Sequence, residues 1–405
     1  MMDTGDNAWI LISAALVLFM VPGLALFYGG MSRSKNMLNM LMMNMICLGI
    51  IPIIWYLFGY SLSSTGTNQF IGTFDNILLR DISGDALRDV FFALTFASIT
   101  PALISGAVAD RMKFSAWVVF VPVWFTLVFI PAWAWVFRFN GEDGAESGFL
   151  NMRGSLDFAG GTVVHVAAGA SALALAIVLG KRKGWPKEPM LPHNLPFTMI
   201  GAGILWFGWF GFNAGSAFAA DTLAIQAFAN TFIAAAAGML AWLAVERLVD
   251  GHATSLGAAS GIVAGLVGIT PGAGFMGVNG ALAVGIVAGA VCAYAVRLKV
   301  RFGYDDALDV VGVHMVGGLV GGVLIGVFAS PSALGGSFEG GLIEGDGAGL
   351  LIEQIFANVV VGVFAFVVTF AIAKVMDGAM GLRVTDDEEQ TGLDTTQHSE
   401  TAYNS

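Results

Sequence analysis

Charge is what this sequence has least of. Only 12 % of its 405 residues are Asp, Glu, Lys or Arg, about half the usual share, while 57 % are hydrophobic. That is too little charge to cover a water-facing surface. A soluble chain of two or three domains is excluded, and much of the surface is left for lipid. Basic residues are outnumbered, 18 against 29, for a net charge of −11, which excludes a nucleic-acid-binding face. The two cysteines, Cys47 and Cys292, both sit in apolar stretches, so no disulfide framework follows. No three or four His, Cys and carboxylate positions share one depth, and no nucleophile stands beside a base. Neither a metal centre, a cofactor nor an enzyme is expected.

Long apolar runs are what the sequence has instead. Eleven of spanning length recur, at about 8–28, 40–61, 90–109, 114–137, 158–180, 197–218, 222–245, 255–272, 276–296, 308–329 and 351–375. Lipid requires backbone groups to be satisfied within each segment, and the ten-residue alternation of barrel strands is absent, so these read as helices. The first run is too long, and lacks the charged lead, for a cleavable leader. Fourteen of the 18 lysines and arginines fall in one set of loops; Arg80, Arg88, Arg138 and Arg153 make up the other. The positive-inside rule then places the N-terminus outside and the C-terminus in the cytoplasm. From Asp377 onward seven acids face one base, Arg383, which reads as a solvated acidic tail over 377–405.

Eleven spans divide as five, five and one. Five is odd, so two such halves, about 8–180 and 197–329, are inverted with respect to each other. "VHVAAG" (Val164–Gly169) and "VHMVGG" (Val313–Gly318) echo each other late in each half as V-H-x-x-x-G. Glycines at four-residue spacing, such as Gly257, Gly261 and Gly265, suit close helix packing. "GAGFMG" (Gly272–Gly277) matches a dinucleotide fingerprint but follows no strand, and is rejected as one.

His165 and His314 are the histidines inside spans, where an imidazole needs a partner or a wet cavity. A pseudo-two-fold axis brings echoing positions together, and two facing imidazoles can share a hydrogen bond, one donating and one accepting. Asp157, eight residues before His165, either caps the helix that follows or offers negative charge to an arriving cation. Phe92 and Phe96 share a helix face at i, i+4. "FGWFGFNAGSAF" (Phe207–Phe218) places Trp209, Phe212, Asn213 and Ser216 within about two turns. Aromatic faces attract ammonium-type cations and a serine hydroxyl accepts from them, which suggests a cation site above an apolar gate, with the histidine pair below.

With "PGLALFYGGMSRSKN", "DFAGGTVVHVAAGAS", "WFGWFGFNAGSAF", "DDALDVVGVHMVGG" and "TGLDTTQHSETAY" in this order, the chain resembles the ammonium transporters of the Amt/Mep/Rh superfamily, on the Amt side. The resemblance implies an eleven-span homotrimer of the cell membrane with a pore in each protomer. It implies twin histidines at His165 and His314, a stacked gate at Phe96 and Phe212, and an outer cation site at Phe92 and Ser216. Asp157 resembles the family's buried aspartate, and Trp209 lines the pore. It also implies a PII-type signal protein as partner on the cytoplasmic face. Where the family usually carries a tryptophan, six residues after the proline of span four, this chain has Phe137, with Trp133 and Trp135 nearby. The implied activity is recruitment of ammonium, its deprotonation near Asp157 and the gate, and passage of ammonia, with or without the proton. A passive ammonia or carbon dioxide channel of the Rh kind, and an ammonium sensor signalling through its tail, are the competing readings.

Overall fold

A computed structural model of the chain describes residues 3–66, 68–139 and 147–403. It is all-helical, with no β-strand among the described residues. Among the described residues eleven helices are long and apolar enough to cross a membrane: α1 Thr4–Met31, α2 Ser34–Ser64, α3 Ala86–Val108, α4 Phe114–Phe137, α5 Gly161–Leu179, α6 Leu195–Ala217, α7 Thr222–Val249, α8 Ser255–Gly272, α9 Val278–Phe302, α10 Val311–Phe328 and α11 Gly349–Met380. All eleven expected spans are present. Several run past their apolar cores because polar residues close them: the Asp3 carboxylate accepts from the Gly5 amide at 2.8 Å, and Gly303 and Gly381 end α9 and α11 at positive φ. At 28 residues α1 is about 42 Å long, more than the ~30 Å of hydrocarbon it has to cross. Large apolar side chains such as Leu11, Ile53, Ile225 and Val363 stand exposed around the bundle, as a lipid-facing belt requires.

Small residues set how closely the helices approach. At Gly238 of α7, a Cβ would lie 2.6 Å from the Gly265 Cα of α8; at Gly289 of α9, it would lie 2.3 Å from the Gly238 carbonyl oxygen. Three helices therefore cross at one point that only glycine permits.

The acidic tail is not the solvated segment expected. Lys113 and Val384 donate backbone hydrogen bonds to Leu382 and Arg111, at 2.9 and 3.0 Å, tying the chain after α11 to the α3–α4 loop. α12 (Asp386–Thr391) opens on a Thr385–Glu388 capping box, and α13 (Leu393–His398) follows. The fully buried Glu389 pairs with Arg383 at 2.7 Å and accepts from the Lys183 amide at 2.8 Å, while the Asn39 amide donates to buried Asp394 at 2.8 Å. The count of tail charges missed this because, Arg383 aside, the partners lie elsewhere in the chain, on the segments at 33–39, 111–113 and 181–183.

Those loops are held by a buried charge network. Arg182 donates to both Asp305 carboxylate oxygens, at 2.9 and 2.8 Å, and to Asp110 at 3.3 Å; Arg33 meets Asp110 at 3.1 Å. Burial pushes the Asp305 pKa up, but the Arg182 hydrogen bonds and charge outweigh it and leave the carboxyl below its ordinary value. Its contribution is therefore present above about pH 4 and lost only as pH falls through the lower folded value. Arg182→Ala leaves the buried Asp305 carboxylate without its ion-pair partner and Asp110 with Arg33 alone as a charged one. It is expected to cost about 3–5 kcal/mol, seen as a lower unfolding temperature in detergent at neutral pH.

Candidate functional site

The site begins at the N-terminus of α5, where the amides of a first turn have no intrahelical acceptor. Asp157 supplies one. Its Oδ1 accepts from Gly160 and Gly161 at 2.9 and 2.7 Å, and its Oδ2 from Thr162 and Val163 at 2.9 and 3.4 Å. Gly160 makes the turn at φ +100°, where a side chain would be strained. The first turn of α5, Gly161–Val166, is wound as a π-helix and carries His165. The first turn of α10, Val311–Met315, is wound the same way and carries His314.

The two imidazoles meet in the middle of the bundle. Their Nδ1 atoms are 3.2 Å apart, the rings lie 5.2 Å apart at 19°, and both are almost fully buried. One Nδ1 donates and the other accepts. Trp209 stacks on His165 at 5.4 Å and 22°, with its indole N–H satisfied by the Thr270 hydroxyl at 2.8 Å, so it offers the imidazole a ring face. The second halves of the echoing motifs pack reciprocally. A Cβ at Gly169 would lie 2.4 Å from the Met315 amide nitrogen in the π-turn of α10, and one at Gly318 would lie 2.8 Å from the Gly161 carbonyl oxygen in the π-turn of α5. Each glycine lets its own helix close on the other half's histidine turn.

Around the pair is a cavity of about 10 Å³, room for roughly one water-sized molecule. Its walls are otherwise apolar, from Leu24, Phe27, Ile99, Leu103 and Phe212. Above it Phe96 and Phe212 close the passage, with ring centroids 4.1 Å apart. Beyond them opens a vestibule of about 460 Å³ that Phe92, Phe96, Trp133, Phe137, Asp157 and Ser216 help to line. The Ser216 hydroxyl donates to the Phe212 carbonyl at 2.8 Å, which leaves its lone pairs free to accept. Of the tryptophans near Phe137, Trp133 joins the vestibule, 4.8 Å from Phe137 and 6.3 Å from Phe96. Trp135 turns away onto Phe149 and Phe364. Nine of the residues singled out in the sequence thus line one passage: Phe92, Phe137, Ser216 and Asp157 in the vestibule, Phe96 and Phe212 at the gate, His165, His314 and Trp209 beneath it. Asn213, singled out with them, instead donates to the Thr231 hydroxyl at 2.9 Å. Among the described residues no cluster of His, Cys, Asp and Glu could hold a metal ion.

Sequence reasoning missed Asp306. It stands eight residues before His314, as Asp157 stands eight before His165, and its Oδ2 accepts from the Val311 amide at 2.7 Å. Three residues after each aspartate the backbone turns left-handed, at Gly160 (φ +100°) and at Asp309 (φ +66°). The full echo is therefore D-x7-H-x3-G, twice the length of the one first noticed, and it was present in the sequence. The acid-rich run Asp305, Asp306, Asp309 hid it: Asp305 serves Arg182 and Asp309 pairs with Lys299 at 2.6 Å, so only the middle one matches Asp157.

Comparison with known proteins gives the same answer from a different direction. The model of the Ammonium Transporter Family matches residues 8–403. Ammonium transporters of Mycobacterium tuberculosis and Bacillus subtilis are 48 % and 45 % identical to this chain; each alignment covers 99 % of it, and 90 % and 99 % of the relative. Among solved structures, Saccharomyces cerevisiae Mep2 superposes with a TM-score of 0.87 at 35 % identity, covering 95 % of this chain and 88 % of that one. A sensor Amt protein superposes with a TM-score of 0.89 at 26 % identity, covering 97 % and 98 %. The chain is a multi-pass membrane protein and belongs to the ammonium transporter family, a transport family rather than an enzyme family.

Proposed function

We propose that the chain takes ammonium into the vestibule, strips its proton near Asp157 and the phenylalanine gate, and passes ammonia along the histidine-lined lumen into the cytoplasm. The observation that carries this reading is the buried 3.2 Å contact between His165 and His314 in a passage otherwise walled by hydrocarbon. A bare cation entering such a passage loses its hydration at a cost of several kcal/mol, whereas neutral ammonia does not. Two imidazoles sharing one hydrogen bond offer an ammonia molecule a donor or an acceptor without a fixed charge.

The surroundings follow from the same reading. The N-terminus faces outside, the docked tail lies on the cytoplasmic face, and the chain works as a homotrimer in the cell membrane. A PII-type signal protein is the partner expected on the tail side. The halves at about 8–180 and 197–329 are inverted repeats, supported by the matched Asp–His turns of α5 and α10.

An ammonium jump on proteoliposomes adsorbed to a solid-supported membrane tests this directly. A saturable inward positive current means that the proton crosses with ammonia. Uptake without current means gas conduction. Absence of both uptake and current would defeat the transport reading in favour of a sensor.

Phe137 allows a finer test. It shares the vestibule with Trp133 at the position where the resemblance places a tryptophan, and indole is the better cation–π partner. Phe137→Trp is expected to strengthen cation binding by about 0.5–1 kcal/mol, so half-saturation moves to a two- to fivefold lower ammonium concentration with maximal current unchanged.

A further inference from the structure

We propose that Asp89 is a further binding residue of the vestibule, the carboxylate that first holds the arriving cation. The inference rests on the reading of the vestibule as a cation entrance and adds a residue to it. Asp89, Phe92 and Phe96 follow one another at i, i+3 and i+7, so they share a face of α3, and all three line the vestibule. Along the helix axis Asp89 lies about 4.5 Å from Phe92 and about 10.5 Å from Phe96, on the side away from the gate. The lining carries two carboxylates: the Asp89 side chain is 36 % exposed, whereas Asp157 is buried. A cation therefore meets Asp89 while it still holds most of its water, and before it reaches the aromatic rings.

The neighbouring Arg88 does not remove that charge from the cavity. It meets the Asp89 Oδ1 at 2.7 Å, but its side chain is only 4 % exposed and is not part of the lining, and it donates to the Asn7 side-chain oxygen of α1 at 2.8 Å. The vestibule thus faces the negative end of the pair. The surrounding charge has the same sign. The helix ends and loops on the vestibule side of the eleven spans hold 15 of the 29 acids and four of the 18 bases, so the whole net charge of −11 lies there, while the tail side balances at 14 against 14. Such a field raises the local concentration of cations, and it reaches about 30 Å at 0.01 M salt but only about 10 Å at 0.1 M. Asp89 is the point at which it enters the vestibule beside the rings that bind the cation next.

The test measures binding and transport separately. The full chain, Asp89→Asn and Asp89→Glu are titrated in detergent with ammonium chloride exchanged for sodium chloride at constant ionic strength, and binding is read as the rise in each protein's own unfolding temperature. The same proteins in liposomes give the half-saturating concentration and the maximal rate of uptake. Asp89→Asn keeps an oxygen for Arg88 and loses the charge. At low salt it is expected to raise half-saturation about two- to fivefold with the maximal rate unchanged, and Asp89→Glu is expected to recover most of that loss. High salt is expected to weaken the wild type more than Asp89→Asn and so to bring the two together. Unchanged half-saturation in a folded Asp89→Asn overturns the proposal and leaves Asp89 as the partner of Arg88, and so does a fall in maximal rate alone. Wild-type binding without uptake defeats the transport reading and not this one, which the unfolding shift then decides: a shift in Asp89→Asn equal to that of the wild type overturns it. No binding by the wild type overturns both.

Discussion

Asp157→Ala is expected to abolish ammonium uptake and to lower stability severely, while Asp157→Asn separates the two effects. The carboxylate accepts from four backbone amides, and truncation leaves all four donors without their acceptor at the buried start of α5. Each such loss costs about 1–3 kcal/mol, so even with water reaching some of them the total rivals a typical net stability of 5–15 kcal/mol. The electrostatic effect is distinct. A helix N-terminus carries about half a positive charge, and this one lies beside the vestibule proposed to take a cation. Asp157 more than cancels that field; without it, α5 repels its own substrate. Asparagine keeps one carbonyl oxygen for the amides and loses the charge. Asp157→Asn is expected to fold and insert, with an unfolding temperature between those of wild type and Asp157→Ala, and to transport about 10- to 100-fold more slowly, as losing 1.5–3 kcal/mol of charged interaction implies. Wild-type transport by a well-folded Asp157→Asn would reduce Asp157 to a cap.

Both sequence readings of Asp157 thus describe one group, and the reason they could not be separated is general. Capping and charge use the same oxygens; the four amides show the first role, and the second rests on the proposed entry of a cation into the vestibule beside them. The spans, the gate and the histidine pair were legible because lipid forces a simple grammar on sequence: long apolar runs, few polar interruptions, each one there for a cause. Asp306 was legible in principle and missed, because Asp305 and Asp309 on either side hid which acid of the run stands where Asp157 does. The π-turns of α5 and α10 were not legible, since one extra residue in a turn leaves no compositional trace. The docked tail was not legible either. Its buried acid, Glu389, is satisfied by Arg383 and by the distant Lys183 amide, and hydropathy cannot reveal that kind of pairing.

The histidine pair makes the second large prediction, and the form of the loss matters more than its size. His165→Ala and His314→Ala each break the Nδ1–Nδ1 hydrogen bond, leaving one buried imidazole nitrogen without its partner. Such a loss costs about 1–3 kcal/mol, roughly five- to hundredfold in a rate limited by passage through the lumen. If the two imidazoles act as one unit, the double variant is expected to be no slower than the worse single one, and the cycle returns a coupling energy close to the single-variant loss. Additive losses would mean that each ring only lines the wall. Current and uptake measured on the same vesicles complete the argument. When the ammonium-evoked current falls further than ammonia uptake, the proton travels by the imidazoles. When both fall together, the pair sets the passage of ammonia and the proton takes another course. The Trp209 ring lies against His165 and its N–H is bound to Thr270, so the surviving imidazole in His314→Ala stays oriented and the comparison remains one of chemistry rather than of collapse.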